Sequence, residues 1–372
     1  MINDSTIQRI MRLTPIEVVL ALIDAHVAMV KPQKVPVEAA LGSTLAEDVI
    51  ATERPSQPIA LRDGFAVPAA AVTDAGPYTP VALPLVACRI DVGQPLPRDV
   101  DAVLPLDAVA LHGDRGYAHA PAAVGEGVLP AGGDATARLP LRRTGERLRA
   151  IDIAAIRAAG IADVKIRTPR IAIVHAGSTA SPVFDAALGW LTCAATKSGA
   201  LATAKLISIE EALTDADHYD AVISVGGTGS GRHDISVQTL ARLGRLEVHG
   251  VAVSPGETAA FGFAGRRPVL LIPGRLDAAL AVWLLLGRYL TAKLAGGEIA
   301  NAAQTMPLKR KIASSIGLSE LIPVTCADGL ADPLASGYLS LTAVARSDGW
   351  IVVPADSEGF ASGTQVAVNP WP

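Results

Sequence analysis

The chain has 372 residues, of which half are hydrophobic and 18% are charged, and its formal net charge is -4. A chain of this length usually folds into about two to four domains. The net charge is mildly acidic, and the sequence lacks the stripe of basic residues that nucleic-acid binding requires, so no nucleic acid is expected as a partner. Three scattered cysteines argue against a disulfide framework and fit a reducing cytoplasm.

Three further absences narrow the class of protein. The longest apolar run, residues 276–290, is shorter than the roughly 20 residues that a membrane helix needs, and it contains Asp277 and Arg288. The first 15 residues lack the apolar core of a signal peptide. The histidines are dispersed without a paired spacing. The sequence therefore predicts a cytoplasmic protein with no membrane span and no structural metal.

The first part of the chain, residues 1–168, is predicted to be an α+β segment. Its first helix is indicated by Thr14 as a capping residue, Pro15 in the first turn and Glu17 as the second half of a capping box. From about residue 55 to 130, short β-type runs alternate with Pro, Gly and Asp. This texture predicts an inserted β-rich subdomain.

Residues 169–300 alternate buried strands with helices. The apolar runs 170–174, 220–225 and 269–272 are typical of buried parallel strands, and each ends in a turn that contains glycine. Such alternation predicts a doubly wound α/β domain, in which ligands bind beyond the carboxyl ends of the strands. The three glycine turns are therefore expected to converge on one site.

The last part, residues 301–372, returns to β-type runs at 321–325, 350–353 and 365–368. Asp-Gly turns follow at Asp328 and Asp348. A small C-terminal β-barrel is the predicted structure.

The most informative motif is the glycine-rich segment 226–234, which follows one predicted strand and precedes a helix over 235–243. Its four glycines would let backbone N–H groups face an anion, with hydroxyl donors from Thr228 and Ser230 and a favourable helix dipole. Asp234 could hold a divalent ion beside that anion. In the alternative, the glycines form only a tight turn and Asp234 only caps the helix. The segment is neither a Walker A loop nor a G-x-G-x-x-G motif.

A second motif, Asp63 followed by Gly64, stands between Leu61 and an apolar run. By composition alone it indicates an Asp-Gly hairpin turn. In its wider context, residues 61–67 resemble the S-x-x-D-G-[YF]-A-V segment of the molybdopterin molybdenumtransferases, the family that includes the E domain of gephyrin.

Five further segments resemble this family in the same order, so that the resemblance extends along nearly the whole chain. They are residues 41–48, 93–103, 132–134, 226–234 and 348–354. The resemblance implies an elongated homodimer whose central α/β domain binds molybdopterin. The site would lie between that domain of one subunit and N-terminal segments of the other. The implied reaction inserts molybdate into adenylylated molybdopterin with magnesium and releases AMP.

The resemblance also implies roles for individual residues. Asp63, Asp134 and Asp234 would be the catalytic acids, and Asp234 would hold the metal. The candidate cofactor-binding residues lie in the three glycine turns: Gly177, Ser178, Gly226, Gly227, Thr228, Gly229, Ser230, Gly231, Arg232, Pro273, Gly274 and Arg275. The implied partners are a protein that donates adenylylated molybdopterin and, as a further candidate, a client molybdoenzyme.

The chain departs from the family pattern at charged positions. The family has a carboxylate where this chain has Thr179, a lysine where it has Glu257, and arginines where it has Leu318 and Pro323. Each charge-assisted hydrogen bond to an anion contributes about 1.5–3 kcal/mol, so these losses would weaken binding.

Two new cations could compensate for these losses, Arg232 and Arg275, unless they are solvated surface arginines. Two functions stay open, with the first favoured. One is an active transferase. The other is a catalytically impaired molybdopterin-binding protein that carries, stores or senses the cofactor. A nucleotide-dependent enzyme of another family is disfavoured, because neither of its usual loops is present.

Overall fold

The computed structural model describes residues 10, 12–84, 87–175, 181–215, 218–231, 234–299 and 302–372. They form an N-terminal α+β segment with a β-rich insertion, a central α/β domain and a C-terminal β domain. This is the multidomain α/β fold that the sequence predicted.

The first helix, α1 (Ile16–His26), begins directly after Pro15 and has no side-chain cap. The prediction that Thr14 caps this helix, with Glu17 completing a capping box, is wrong. The backbone N–H of Thr14 instead donates to the carbonyl of Gly250 at 2.9 Å. Thr14 therefore has extended backbone that attaches the start of the helix to the central domain.

The rest of the N-terminal part consists of short strands in small sheets. One three-stranded sheet, β1-β11-β2, carries the insertion, which is built from the β3-β10 pair and from the sheets β6-β4-β7 and β5-β9-β8. The elements are β1 (Gln33–Pro36), β2 (Thr44–Leu45), β3 (Ile59–Ala60), β4 (Gly64–Val67), β5 (Val81–Ala82), β6 (Cys88–Ile90), β7 (Ala102–Pro105), β8 (Val109–His112), β9 (Arg115–Ala118), β10 (Val128–Leu129), α2 (Ala150–Ala158) and β11 (Asp163–Arg167).

The central domain alternates strands and helices, as the apolar runs predicted. Its elements are β12 (Arg170–His175), α3 (Pro182–Lys197), β13 (Leu201–Lys205), α4 (Ile209–Thr214), β14 (Ala221–Val225), α5 (Ser236–Leu243), β15 (Arg245–His249), β16 (Val253–Ser254), β17 (Ala260–Ala264), β18 (Arg267–Ile272), α6 (Leu276–Val282), a π-helical turn (Trp283–Gly287) and α7 (Arg288–Ala295).

The central sheet has the order β13-β12-β14-β18-β17-β15. The first four strands are parallel, and β17 and β15 extend the sheet antiparallel. Helices α1, α3, α6 and α7 pack on one face around the fully buried Trp283, while α4 and α5 cover the other face. Because both faces are buried, β14 is apolar at every position except Ser224 and does not alternate.

The helical run Leu276–Ala295 has 20 residues and is long and apolar enough to cross a membrane by length and composition. It is longer than the sequence predicted, because the π-helical turn joins α6 to α7 without a break. In the structure 72% of its most apolar window is buried, as in the core helix of a folded domain. Its apolar character is thus accounted for by packing against the central sheet.

The C-terminal domain contains β19 (Gln304–Pro307), β20 (Ile312–Ala313), β21 (Ser319–Ala327), β22 (Leu330–Pro333), α8 (Leu341–Arg346), β23 (Gly349–Val353), β24 (Gly359–Phe360) and β25 (Gln365–Pro370). Its sheet runs β16-β21-β23-β25-β19, and β22 pairs with the free side of β21. A bridge between Leu308 and Ala331 brings β22 back beside the end of β19, which gives the domain a barrel-like curl. Strand β16 links this domain to the central one.

Candidate functional site at the strand ends

The glycine-rich loop follows the carboxyl end of β14, where the sequence placed it. Gly226 has φ +92° and Gly227 has φ +70°, a left-handed backbone that side chains with a Cβ rarely adopt. The N–H of Gly226 donates to the carbonyl of Ile272 at 2.8 Å, which ties the loop to the end of β18. The first two glycines are therefore required by the turn itself.

The middle of the loop is held by polar contacts from two neighbouring segments. The Ser236 hydroxyl donates to the Gly226 carbonyl at 2.9 Å, and the hydroxyls of Thr228 and Thr258 lie 2.9 Å apart. His249 Nε2 lies 3.1 Å from the carbonyl oxygen of Thr228. Thr228 is only 2% exposed, so its hydroxyl supports the loop from within, whereas Ser230 is exposed.

Asp234 closes the loop. Its Oδ2 accepts the N–H of Gly231 at 2.9 Å, and a Cβ placed on Gly229 or Gly231 would lie within 3 Å of the same oxygen. Helix α5 begins at Ser236 with no side-chain cap, so Asp234 does not act as the helix cap considered above. Arg232 lies outside the described residues.

The carboxyl ends of β12 and β18 meet the glycine loop through Phe184, a residue that the sequence analysis did not identify. A Cβ on Gly226 would lie 3.0 Å from the Phe184 ring and one on Gly274 only 2.5 Å from it. The ring centroid of His175, the last residue of β12, is 4.2 Å from that of Phe184. The ends of β12, β14 and β18 therefore converge, as predicted. The turn with Gly177 and Ser178 lies outside the described residues.

Sequence offered only a weak signal for Phe184: an aromatic residue in the first turn of the helix after β12. Its importance comes from the two glycines that leave room for its ring. Burial of the His175 ring lowers its pKa, and its Nε2 is a buried nitrogen with no hydrogen-bond partner among the described residues. This end of the sheet therefore favours neutral His175.

Arg275, which follows Pro273 and Gly274, is held in place on two sides. Its Nε and Nη2 donate to the Oδ1 and Oδ2 of Asp277 at 3.1 and 2.5 Å, and its guanidinium lies 5.1 Å from the Tyr338 ring centroid. The ion pair with Asp277 raises the pKa of Arg275. Arg275 is thus an oriented cation whose side chain is 60% exposed.

Asp277 reaches the C-terminal domain as well. It is 4% exposed, and its carboxylate also accepts the N–H of Ala278 at 2.9 Å and that of Leu339 at 3.3 Å. One buried carboxylate therefore fixes both Arg275 and the neighbouring edge of the C-terminal domain. Four donors satisfy the charge that burial would otherwise penalise.

The structure also shows most of the positions at which this chain departs from the family's charged residues. Glu257 precedes the Thr258 that contacts the loop, its Oε2 accepts the Gly256 N–H at 3.0 Å, and its charge contributes to the raised pKa of Arg275. Leu318 is half-buried, and Pro323 lies in β21 opposite Trp350. Thr179 lies outside the described residues. Glu257 therefore adds negative charge near the loop, where a lysine would add positive charge.

Asp63 and Asp134 lie in the N-terminal part and are both exposed. Asp63 Oδ1 accepts the Val92 N–H at 2.8 Å, and the Asp134 N–H donates to the Arg54 carbonyl at 2.9 Å. Since β3 and β10 are antiparallel, the two carboxylates lie towards opposite ends of that ribbon. Neither contacts the glycine loop through the hydrogen bonds described for this chain.

The alternative of a simple hairpin at Asp63 and Gly64 is also wrong, because β3 pairs with β10 whereas β4 pairs with β6 and β7. Gly64 is required for a different reason. A Cβ at this position would lie 1.9 Å from the carbonyl oxygen of Leu104 on the neighbouring strand. The motif therefore joins two sheets and places Asp63 at the junction.

Within the described residues no group of three His, Cys, Asp or Glu side chains could hold a metal ion. A magnesium ion can still be held by one or two carboxylates when substrate phosphates and waters supply the other ligands. Asp234 at the end of the glycine loop fits that minimal arrangement. The described residues do not provide a magnesium site in which all the ligands come from the protein.

Comparison with known families agrees with this architecture along the chain. The model of the MoeA N-terminal region (domain I and II) matches residues 14–160. The MoCF biosynthesis model, which describes a molybdopterin-binding domain, matches residues 193–292. The model of the MoeA C-terminal region (domain IV) matches residues 305–371. The second match contains the glycine loop, Asp234 and Arg275.

Curated relatives are distant. Molybdopterin molybdenumtransferase 1 of Mycobacterium tuberculosis is 28% identical over 247 residues, which is 61% of this chain and 58% of that protein. Molybdopterin molybdenumtransferase 2 of the same organism is 25% identical over 389 residues, covering 91% and 95%. A molybdopterin biosynthesis candidate of Methanocaldococcus jannaschii is 31% identical over 42% of this chain. The matches span 37% of the archaeal protein and 58% of the first mycobacterial one.

Solved structures agree over the full length. The molybdopterin biosynthesis MoeA protein from Pyrococcus horikosii superposes with a TM-score of 0.76 at 26% identity, covering 96% of this chain and 99% of that one. Fold, domain order and family models therefore lead to one conclusion. The chain belongs to the MoeA family of molybdenum cofactor biosynthesis proteins.

Proposed function

We propose that this protein is a cytoplasmic molybdopterin molybdenumtransferase, which inserts molybdate into adenylylated molybdopterin and releases AMP. The observation that carries the proposal is the glycine loop, which lies at the carboxyl end of β14 and is closed by Asp234. It lies within the segment matched by the molybdopterin-binding model. The names of the two mycobacterial relatives support the same activity.

We assign substrate binding to the glycine loop and charge neutralisation to Arg275. The left-handed turn at Gly226 and Gly227 carries the chain beyond the strand end, where the hydroxyl of the exposed Ser230 would donate to an oxyanion of the substrate. Arg275 would face the same oxyanion, because Asp277 and Tyr338 hold it at the neighbouring turn. An arginine fixed in this way loses little side-chain entropy when it binds an anion.

Magnesium, when bound, would neutralise negative charge where the adenylate is cleaved. We propose Asp234 as the residue that holds it, through the carboxylate oxygen Oδ1 that is not bonded to Gly231. The nearby Glu257 is compatible with a bound cation and would oppose a bare phosphate. The altered charges thus make the proposed site more dependent on magnesium.

The protein is further proposed to act as a homodimer with shared sites. Asp63 and Asp134 are exposed in the N-terminal part, while Asp234 and Arg275 lie in the central domain. If all are needed for one reaction, the two groups would meet across a subunit interface. Adenylylated molybdopterin would then reach this cleft from a donor protein, and a client molybdoenzyme would receive the product.

Mixed dimers test this sharing directly. Asp63→Asn and Asp234→Asn should each inactivate the protein, yet co-expression should restore about one quarter of the wild-type activity. Half of the random dimers would be mixed, and each of these would keep one intact site. Light scattering would establish the dimer. Failure to recover activity in verified mixed dimers would rule out a site shared in this way.

The reaction itself is tested with purified protein, adenylylated molybdopterin, magnesium and molybdate. AMP release together with molybdenum transfer would establish the transferase. Binding of the pterin without AMP release would instead indicate a carrier, storage or sensor protein. In that case, the carboxylates around Arg275 would be responsible for the loss of catalysis. Absence of pterin binding would exclude both functions.

A further inference from the structure

A cavity lies at the end of the central sheet opposite the glycine loop. Its volume is about 900 Å³, and it is lined by the first residues of β12 and β18, the chain just before β14, and the segment that follows α1. Small-molecule sites typically measure about 300–1,000 Å³. Because parallel strands begin at this end and the glycine loop lies where they finish, the two sites are separated by the length of the strands.

Two arginines in this cavity are held in fixed orientations. Arg170 donates from Nη2 to Asp220 Oδ1 at 3.2 Å, and the same carboxylate accepts the Arg170 backbone N–H at 2.7 Å. Arg245 is ion-paired with Glu247, and its guanidinium lies 5.2 Å from the Phe263 ring centroid. Each guanidinium carries five donor hydrogens and uses only some of them on its carboxylate. Donors therefore remain for a ligand.

Two more cations, Lys31 and Arg266, line the same cavity. Both side chains belong to exposed residues, and within the described part of the chain neither forms an ion pair. With Arg267, which donates to the backbone carbonyls of Leu213 and Asp215, five cations line a cavity that contains one carboxylate, Asp220, although the whole chain carries a net charge of -4. A cleft of one sign concentrates oppositely charged ligands.

We infer that this cavity binds a small molecule that carries phosphate. Planar guanidinium groups bind phosphate oxygens in pairs, which suits Arg170 and Arg245, while Lys31 and Arg266 would supply mobile charge at the mouth. The concave shape and the volume suit a small molecule and not a flat macromolecular surface. The oxyanion could come from an inorganic phosphate or from a nucleoside phosphate.

Titration calorimetry with pyrophosphate and with AMP tests the inference on the full-length protein. The double variant Lys31→Gln, Arg266→Gln should lose pyrophosphate affinity by about ten-fold or more, since each exposed charge contributes modestly. The control Lys34→Gln alters a nearby exposed lysine that is paired with Asp163 and does not line the cavity. It should bind as the wild type does. Affinity in the wild type should fall as salt rises.

A glycine-loop variant separates the two sites. Gly229→Val should keep pyrophosphate binding, because no loop residue lines this cavity. Measured in this variant, tighter binding of AMP than of pyrophosphate would support a nucleoside phosphate, and equal or tighter binding of pyrophosphate would support the inorganic anion. The inference is overturned if neither probe binds at millimolar concentration. It is also overturned if the double variant binds like the wild type, or if Lys34→Gln weakens binding equally.

Discussion

Replacing Gly229 by alanine should detach Asp234 from the glycine loop while leaving the fold intact. The new Cβ would lie 2.8 Å from Asp234 Oδ2, closer than ordinary van der Waals contact allows. Asp234 is only half-buried, so its side chain can rotate away without moving the backbone. The hydrogen bond from the Gly231 N–H, now 2.9 Å long, would then be lost.

The cost in stability should be small. A hydrogen bond to a charged, partly exposed group contributes about 1–2 kcal/mol, while replacing Gly by Ala at a compatible φ returns about 0.4–1 kcal/mol. Gly229 lacks the positive φ of Gly226 and Gly227, so alanine brings no backbone strain. The free energy of unfolding should therefore fall by about 1 kcal/mol or less in urea titrations.

Function should respond much more strongly than stability. We expect AMP release in the presence of magnesium to fall about ten-fold or more, because the displaced carboxylate can no longer hold the ion beside the loop. Gly189→Ala in helix α3 is the matched control, since no atom lies within 4 Å of its Cβ. Wild-type AMP release by Gly229→Ala, with Asp234 displaced, would refute the proposed role of Asp234.

Three other predictions test the surrounding packing. Asp277→Asn should lower the free energy of unfolding by about 1–3 kcal/mol, because it leaves Arg275 without its carboxylate. Urea titration would detect this decrease, and an unchanged free energy of unfolding would contradict the structure. Burial lowers the pKa of His175, so its neutral form is favoured in the folded state and stability should be lost as pH falls below the unfolded pKa of about 6.5. His175→Phe should reduce this loss, and parallel pH profiles for variant and wild type would argue against it. Gly287→Ala should destabilise the protein by about 1–3 kcal/mol, because the new Cβ would overlap the buried ring of Trp283. Tryptophan fluorescence would follow the unfolding, and wild-type stability would show that the ring can move.

Much of the fold is encoded locally and could be read from the sequence. Unbroken apolar runs predicted the buried parallel strands, and the glycines after them predicted the turns at their carboxyl ends. The position of Gly226 follows from backbone geometry, because the loop needs a left-handed residue there. Collinear motifs then indicated the family that the three models match. Short-range sterics and periodicity are sufficient for each of these conclusions.

Some local signals were overridden by tertiary contacts. Thr14 has the sequence signature of a helix cap, yet its backbone bonds to Gly250 and its side chain does not cap the helix. Asp234 was also considered as a cap of the following helix, and its carboxylate oxygen Oδ2 instead accepts the N–H of Gly231. For Thr14, packing between distant segments selected the partner, whereas for Asp234 the turn of the glycine loop itself did so.

The sequence by itself determined the α/β strand pattern, the glycine loop and the loss of the family's charges at Glu257, Leu318 and Pro323. Only the tertiary structure decided that Phe184 packs between two glycine turns and that Tyr338 packs on the guanidinium of Arg275. The same holds for the cations gathered at the far end of the sheet. The physical reason is that periodicity and backbone sterics act between neighbours in the chain, whereas these contacts join segments that meet only after the domains have packed.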